Sequence, residues 1–294
     1  MNVVFKIVYA FGWSITLLPL SVLYLLSDAL YPVLFYGIRY RRKVVKTNLL
    51  HSFPELSTAE LRKIEKAFYK QFCDVFIESI YLMHPHKNEI IKRFVFENTD
   101  VITNQIKSGK SVLIMSAHHG NWEWGISFPL HVPNEIKSFQ VYKQLSNNTF
   151  DSFMNHLRSQ FGGINVEMQS LSRFMVQMRN QHTNGVYFMI SDQSPNALNR
   201  YWTTFLHQDT SVITGTEVLA KKFDYPVFYV EINRVERGHY QVKFLPITLE
   251  PNNTEKFEIT EKYIHLLEET IKNQPETWLW THRRWKHKRT IHNS

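Results

Sequence analysis

The stretch SVLIMSAHHGNWE, from Ser111 to Glu123, decides how this chain is read. Its first half, VLIM, is apolar at every position, as a strand covered on both faces must be. Its second half turns polar at once, with two histidines, a glycine, an asparagine and a glutamate. Further short apolar runs follow at Ser138–Tyr142, Val186–Ile190, Pro226–Ile232 and Tyr240–Phe244. Helical patterns lie between them at Asn121–Leu130, Phe150–Phe161, Leu171–Arg179 and Gly215–Phe223. A last helix carries Phe257, Ile264, Leu267 and Ile271 on one face. Strands alternating with helices predict an α/β fold with a largely parallel central sheet flanked by helices. In such sheets ligands bind outside the carboxyl ends of the strands, which makes Ser116–Glu123 the first candidate for a site.

Ahead of this region, Ser57-Thr58-Ala59-Glu60 reads as a capping box opening a helix that runs to about Met83. Earlier still, Ile7–Leu26 is twenty residues without a charge, and apolar character resumes over Ala29–Ile38. As one helix that run would span about 30 Å, the thickness of a bilayer's hydrocarbon core. Pro19 and Gly12 would interrupt it, and spanning or lying in the interface are both open. Ser27–Leu30 makes a poor signal-peptidase site. Arg39, Arg41, Arg42, Lys43 and Lys46 follow directly, and the positive-inside rule then keeps the remainder cytoplasmic. The expectation is an N-terminal membrane anchor with a basic juxtamembrane segment over residues 1–44, then one catalytic domain over 45–294.

Composition narrows the function. The chain has 294 residues, enough for a sizeable core without staples. One cysteine, Cys73, excludes a disulfide framework and thiolate-rich metal sites. A formal net charge of +8 points to an anionic partner. No zinc finger, RNA-recognition or helix–turn–helix signature supports nucleic acid, so membrane phospholipids are the expected anionic surface.

His118 and Glu123 stand across a strand-to-helix turn that can bring the carboxylate back onto one imidazole nitrogen. That would fix the tautomer and leave the other nitrogen free as a base, worth about 10²–10⁴ in rate. Gly120 suits the tight turn, and Asn121 can cap the helix that follows. Polar capping with exposed histidines is an alternative. Zinc is another, although adjacent histidines cannot easily reach one ion.

These residues resemble the His-x4-acid motif of glycerolipid acyltransferases, and more closely the lipid A late acyltransferases, whose signature continues G-N-W-E. Other pieces follow in the same order. They are Tyr40–Lys43 with Ser52–Glu55; Val141–Lys143 with Arg158 and Phe161-Gly162; Ser191–Pro195; Thr214-Gly215; and Pro275–Lys286. The resemblance implies a membrane-associated O-acyltransferase moving a fatty acyl group from acyl carrier protein or CoA to a hydroxyl of a lipid A precursor. It implies His118 as general base assisted by Glu123, no metal and no cofactor. Arg158, Asp192, Gln193, Lys143 and Asn121 would bind substrate, with Arg158 turned into the site and Lys143 standing where the family often has Arg. The setting would be the inner membrane, catalytic domain facing the cytoplasm. Another glycolipid, lysophospholipid or aminolipid acceptor, a thioesterase or hydrolase, and a non-catalytic lipid-binding protein are the other readings.

Overall fold

A computed structural model describes Ala10, residues 12–195 and residues 201–289. Its strands are β1 (Phe94–Phe96), β2 (Val112–Ser116), β3 (Lys137–Tyr142), β4 (Ile164–Glu167), β5 (Gly185–Ile190), β6 (Trp202–Phe205), β7 (Gln208–Ser211), β8 (Val227–Glu236) and β9 (His239–Thr248). The helices are α1 (Leu20–Pro32), α2 (Arg42–Ser52), α3 (Thr58–Tyr81), α4 (Lys87–Arg93), α5 (Thr99–Lys107), α6 (Asn148–Ser159), α7 (Leu171–Asn180), α8 (Gly215–Phe223) and α9 (Glu258–Asn273).

Seven strands form one sheet in the order β1-β9-β8-β2-β5-β3-β4. From β8 to β4 every pairing is parallel, and only the β8–β9 pairing is antiparallel. Strands β6 and β7 form a separate antiparallel hairpin. The VLIM strand lies in the interior of the sheet. Leu113 and Met115 enter one core with Tyr263, Leu267, Trp278 and Trp280. Val112 and Ile114 enter the other, with Phe94, Trp124 and Phe228. Hence no polar residue interrupts the run: neither face of β2 meets water. The α/β reading holds, and each expected strand is present.

The shortest elements were not legible. Strand β1 has three residues, FVF, with a buried–exposed–buried pattern too short to show a period. The segment Trp122–Leu130, expected as an α-helix, is a 3₁₀-helix. Pro129 inside it has no N–H to close an α-helical ring. The capping box is present in full at the start of α3, with Ser57 Oγ accepting Glu60 N–H and Glu60 accepting Ser57 N–H.

The N-terminal apolar run needs correcting. Its opening residues, Ile7–Tyr9 and Phe11, lie outside the described residues. It does not continue as one helix through Leu26, because Pro19 breaks it and α1 starts afresh at Leu20. Leu20–Gly37 is the one helical stretch among the described residues long and apolar enough to cross a membrane. One face of α1 packs against α3, burying Leu20, Leu23, Tyr24 and Ser27. Leu25, Leu26, Val33 and Tyr36 remain exposed. Among the following basic residues, Arg42 is taken up by Glu65 at 2.9 Å, and Arg41 bonds the Thr281 carbonyl.

Candidate active site

Strands β2 and β5 lie side by side, with Ser116 opposite Ile190. The register continues one step past the strands, since Ser191 N–H donates to the Ser116 carbonyl at 3.0 Å. Two residues beyond each strand end therefore bring His118 and Asp192 level. The chain leaves β2 toward β3 on one side and β5 toward β8 on the other, so this is the point where a crevice opens in a sheet of this kind.

His118 Nδ1 stands 2.8 Å from Asp192 Oδ1, and the His118 backbone N–H donates to Asp192 Oδ2 at 3.0 Å. Trp278 Nε1–H donates to the same Oδ2 at 2.9 Å. Asp192 is 3% exposed. Burial alone would raise its pKa, but the His118 charge and these donors hold it at about 2. Burial alone would likewise lower the imidazole's pKa. The neighbouring Asp192 carboxylate outweighs it, and the net direction is upward. With Nδ1–H directed at the carboxylate, the lone pair falls on Nε2. Gln193 Nε2 lies 3.2 Å from His118 Nε2 and 3.5 Å from Nδ1. A donor in line with the Nε2 lone pair would be far more distant from Nδ1. Gln193 thus sits alongside the ring and leaves that direction open.

The expectation that Glu123 folds back onto the imidazole is not met. The carboxylate on His118 is Asp192. Glu123 Oε1 instead accepts the Trp122 indole N–H at 3.2 Å and faces Arg158 at 3.6 Å. Its charge still acts on His118, favouring the protonated ring. The physical reason is the 3₁₀ turn: starting at Trp122, it directs the Glu123 side chain to Arg158, while the Trp122 and His118 rings meet edge-to-face at 5.2 Å between centroids.

Arg158, near the end of α6, stands 3.6 Å from Glu123 Oε1 with its side chain 25% exposed. Asn121 does not face a ligand. It is fully buried, its Oδ1 accepting Trp124 N–H at 3.1 Å and its Nδ2 donating to Glu78 at 2.7 Å. The capping half of its reading holds, and the substrate-binding half finds no exposed atom. Lys143 is exposed beyond the end of β3, where Gln144, Leu145, Glu167 and Met168 share an open depression with it. It makes no hydrogen bond or ion pair with the His118 group among the described residues.

The adjacent histidines part company. His119 is buried, with Nε2 at 2.6 Å from Thr277 Oγ1, and burial pushes its pKa down to about 4. His282 is also pushed down to about 4, and its Nε2 accepts the Ser194 N–H. Neither is a surface histidine, and His118 alone of the three is held toward the charged form. Among the described residues no three His, Cys, Asp or Glu side chains gather in a metal-binding set.

The C-terminal motif both packs and holds the site. Trp278 and Trp280 are buried, and Trp278 also donates to Asp192. The Leu279 N–H bonds the His118 carbonyl, and Gly120 N–H bonds the Thr277 carbonyl. Arg284 is 2% exposed, and its Nε and Nη2 have no partner among the described residues. The only sequence signal for these roles was the motif itself, because the partners lie far apart along the chain. Cys73 is buried and its thiol is pushed up to about 12, so it offers no nucleophile.

A carboxylate–imidazole pair with one ring nitrogen open, at paired strand ends, is equipped for proton abstraction from a hydroxyl. The chain belongs to the bacterial lipid A biosynthesis acyltransferase family, whose sequence pattern matches residues 2–287, nearly its whole length. It is therefore an acyltransferase, and its reaction needs an acyl donor and a lipid acceptor. No curated protein matches the chain.

Proposed function

We propose that this protein moves a fatty acyl group from an acyl thioester, on acyl carrier protein or CoA, to a hydroxyl of a lipid A precursor. His118 Nε2 takes the hydroxyl proton as the oxygen attacks the thioester carbonyl. The new ester C–O bond forms, the C–S bond breaks, and the departing thiolate takes the proton back from the imidazolium. Asp192 holds the ring in the tautomer that leaves Nε2 basic. Glu123 assists through its charge, which favours the imidazolium, and by fixing Arg158. The Arg158 guanidinium meets the anionic groups of the acceptor or the developing oxyanion. Gln193 is placed to donate its amide N–H to the same oxygen. Lys143, set apart from this group, would serve only a remote part of a large substrate.

The observation that carries the chemistry is the 2.8 Å contact of His118 Nδ1 with Asp192, with Gln193 the one hydrogen-bonding neighbour of Nε2 among the described residues and lying alongside the ring. The exposed apolar side chains of α1 and the neighbouring cations Arg39, Lys43 and Lys46 support attachment of residues 1–44 to the cytoplasmic face of an inner membrane, with residues 45–294 as the catalytic part. The test is mass spectrometry of lipid A from cells lacking the gene, complemented by wild type, His118→Ala or Glu123→Gln. Loss of one acyl chain, restored by wild type and not by His118→Ala, is expected. A shift in phospholipid or aminolipid instead would move the acceptor, and no lipid change would refute the proposal.

A further inference from the structure

Glu78, in the last turn of α3, is fully buried and takes no part in the chemistry above. Its Oε1 accepts the Tyr24 hydroxyl at 2.6 Å. Its Oε2 accepts Asn121 Nδ2 at 2.7 Å and the Tyr240 hydroxyl at 2.8 Å. Its backbone carbonyl accepts the Trp124 indole N–H at 3.0 Å. Both ends of the segment Asn121–Trp124, which contains Glu123, thus hang on one residue of a distant helix. The other half of the loop is held differently, by Asp192 and by backbone bonds from Leu279 and to Thr277.

Tyr24 is itself fixed. The Arg237 guanidinium lies 4.3 Å from its ring centroid and bonds both Asp74 of α3 and Asp28 of α1. Gly238, at φ +72°, leaves the space that the Tyr24 hydroxyl fills, and a Cβ there would collide with it. A buried carboxyl is costly unless donors surround it. Here three donors do so, and they come from α1, from β9 and from the motif loop. Helix α1 is therefore bonded, through one carboxylate, to the loop that carries Glu123.

We propose that Glu78 is a positioning residue for the reaction: acting through Asn121 it sets the Trp122–Glu123 half of the loop, and Tyr24 makes the N-terminal helix part of that support. This rests on reading the His118 loop as the catalytic site. A displacement near 1 Å at a reacting group can cost about 10²-fold in rate, so loss of the peg is expected mainly in kcat.

The experiment uses the full chain in mixed lipid–detergent micelles, with a lipid A precursor and an acyl thioester, well below the unfolding midpoint of each variant. Glu78→Met removes every side-chain acceptor and should lower kcat by about 10–10²-fold with KM little changed. Glu78→Gln keeps an oxygen for Asn121 and Tyr240, and its NH₂ can donate to the Tyr24 oxygen, so it should keep most of the rate. Tyr24→Phe should lose a smaller share. The acid limb of the pH profile should move only slightly toward lower pH, because Asp192, which does most to raise the His118 pKa, is held separately and only the smaller Glu123 contribution is displaced. Amide exchange over residues 121–124 should quicken in Glu78→Met and not in Glu78→Gln. If Glu78→Met does not fold, Asn121→Ser cuts the same bond from the other side and should reproduce the kcat loss. Lowered thermal stability with unchanged kcat and unchanged exchange over 121–124 would overturn the proposal. A wild type that protects these amides but transfers no acyl group would count against the acyltransfer reading instead.

Discussion

Replacing Asp192 by Asn is the sharpest perturbation of the site, because shape is kept while one acceptor oxygen becomes a donor. In the wild type, three N–H groups converge on the carboxylate: His118 Nδ1 at 2.8 Å, the His118 backbone at 3.0 Å and the Trp278 indole at 2.9 Å. Two of them share Oδ2, so the Asn oxygen belongs there, and its NH₂ must then face Nδ1. An NH₂ cannot accept Nδ1–H, so the ring is driven to the tautomer with its proton on Nε2. That tautomer cannot take a proton from the acceptor hydroxyl. The loss should therefore match the whole contribution of the base, about 10²–10⁴ in kcat. The pH profile offers a second reading. Asp192 raises the His118 pKa above its ordinary value, so wild-type kcat/KM should climb on an acid limb above 6.5. Residual activity in Asp192→Asn should show that limb at lower pH. The stability linkage follows from both groups: the pairing contributes fully between about pH 4 and 6.5, fades as pH falls toward about 2, and is lost as pH rises through the raised His118 value. Steady-state rates from pH 5 to 9, with circular dichroism to confirm folding, make the assay. A variant with wild-type kcat would refute the assignment of Asp192 as the group that orients the base.

Three further outcomes are expected. Gly120→Ala places a Cβ 2.6 Å from the Ile232 side chain at φ +60°, which should cost about 2–4 kcal/mol in denaturant unfolding and disturb the loop. Thr277→Val leaves the buried His119 Nε2 without its 2.6 Å partner, a loss of about 1–3 kcal/mol measurable by thermal unfolding. Arg158→Ala breaks a part-exposed pair at 3.6 Å, so stability should change by less than about 1 kcal/mol. Its kcat/KM with an anionic acceptor should fall by about 10²-fold or more, and equal rates would show that Arg158 meets no substrate.

Much of this molecule was readable along the chain because the signals are local. The unbroken VLIM run declares a strand covered on both faces, and the five expected strands all exist, the first three with ends within one residue of those observed. The capping box at Ser57 needs only four residues to specify itself. The short strands β1 and β4 were missed because three or four residues cannot display a period.

The site was readable only in part, for a physical reason. Sequence placed His118 and Asp192 at strand ends, and the resemblance supplied their grouping with Glu123 and Arg158. Which carboxylate bonds the imidazole depends on strand register, since Ser116 faces Ile190 across 74 positions of chain between His118 and Asp192. A local spacing argument favoured Glu123, and a 3₁₀ turn sent it elsewhere. Asn121, chosen as a ligand contact, is sealed beneath the loop by Glu78, and Trp278, far along the chain, holds the carboxylate. The sequence by itself determined the elements, the layer type and the chemical groups available. Tertiary structure alone decided which groups meet, because hydrogen-bond partnership is set by the pairing of strands and helices far apart in the chain.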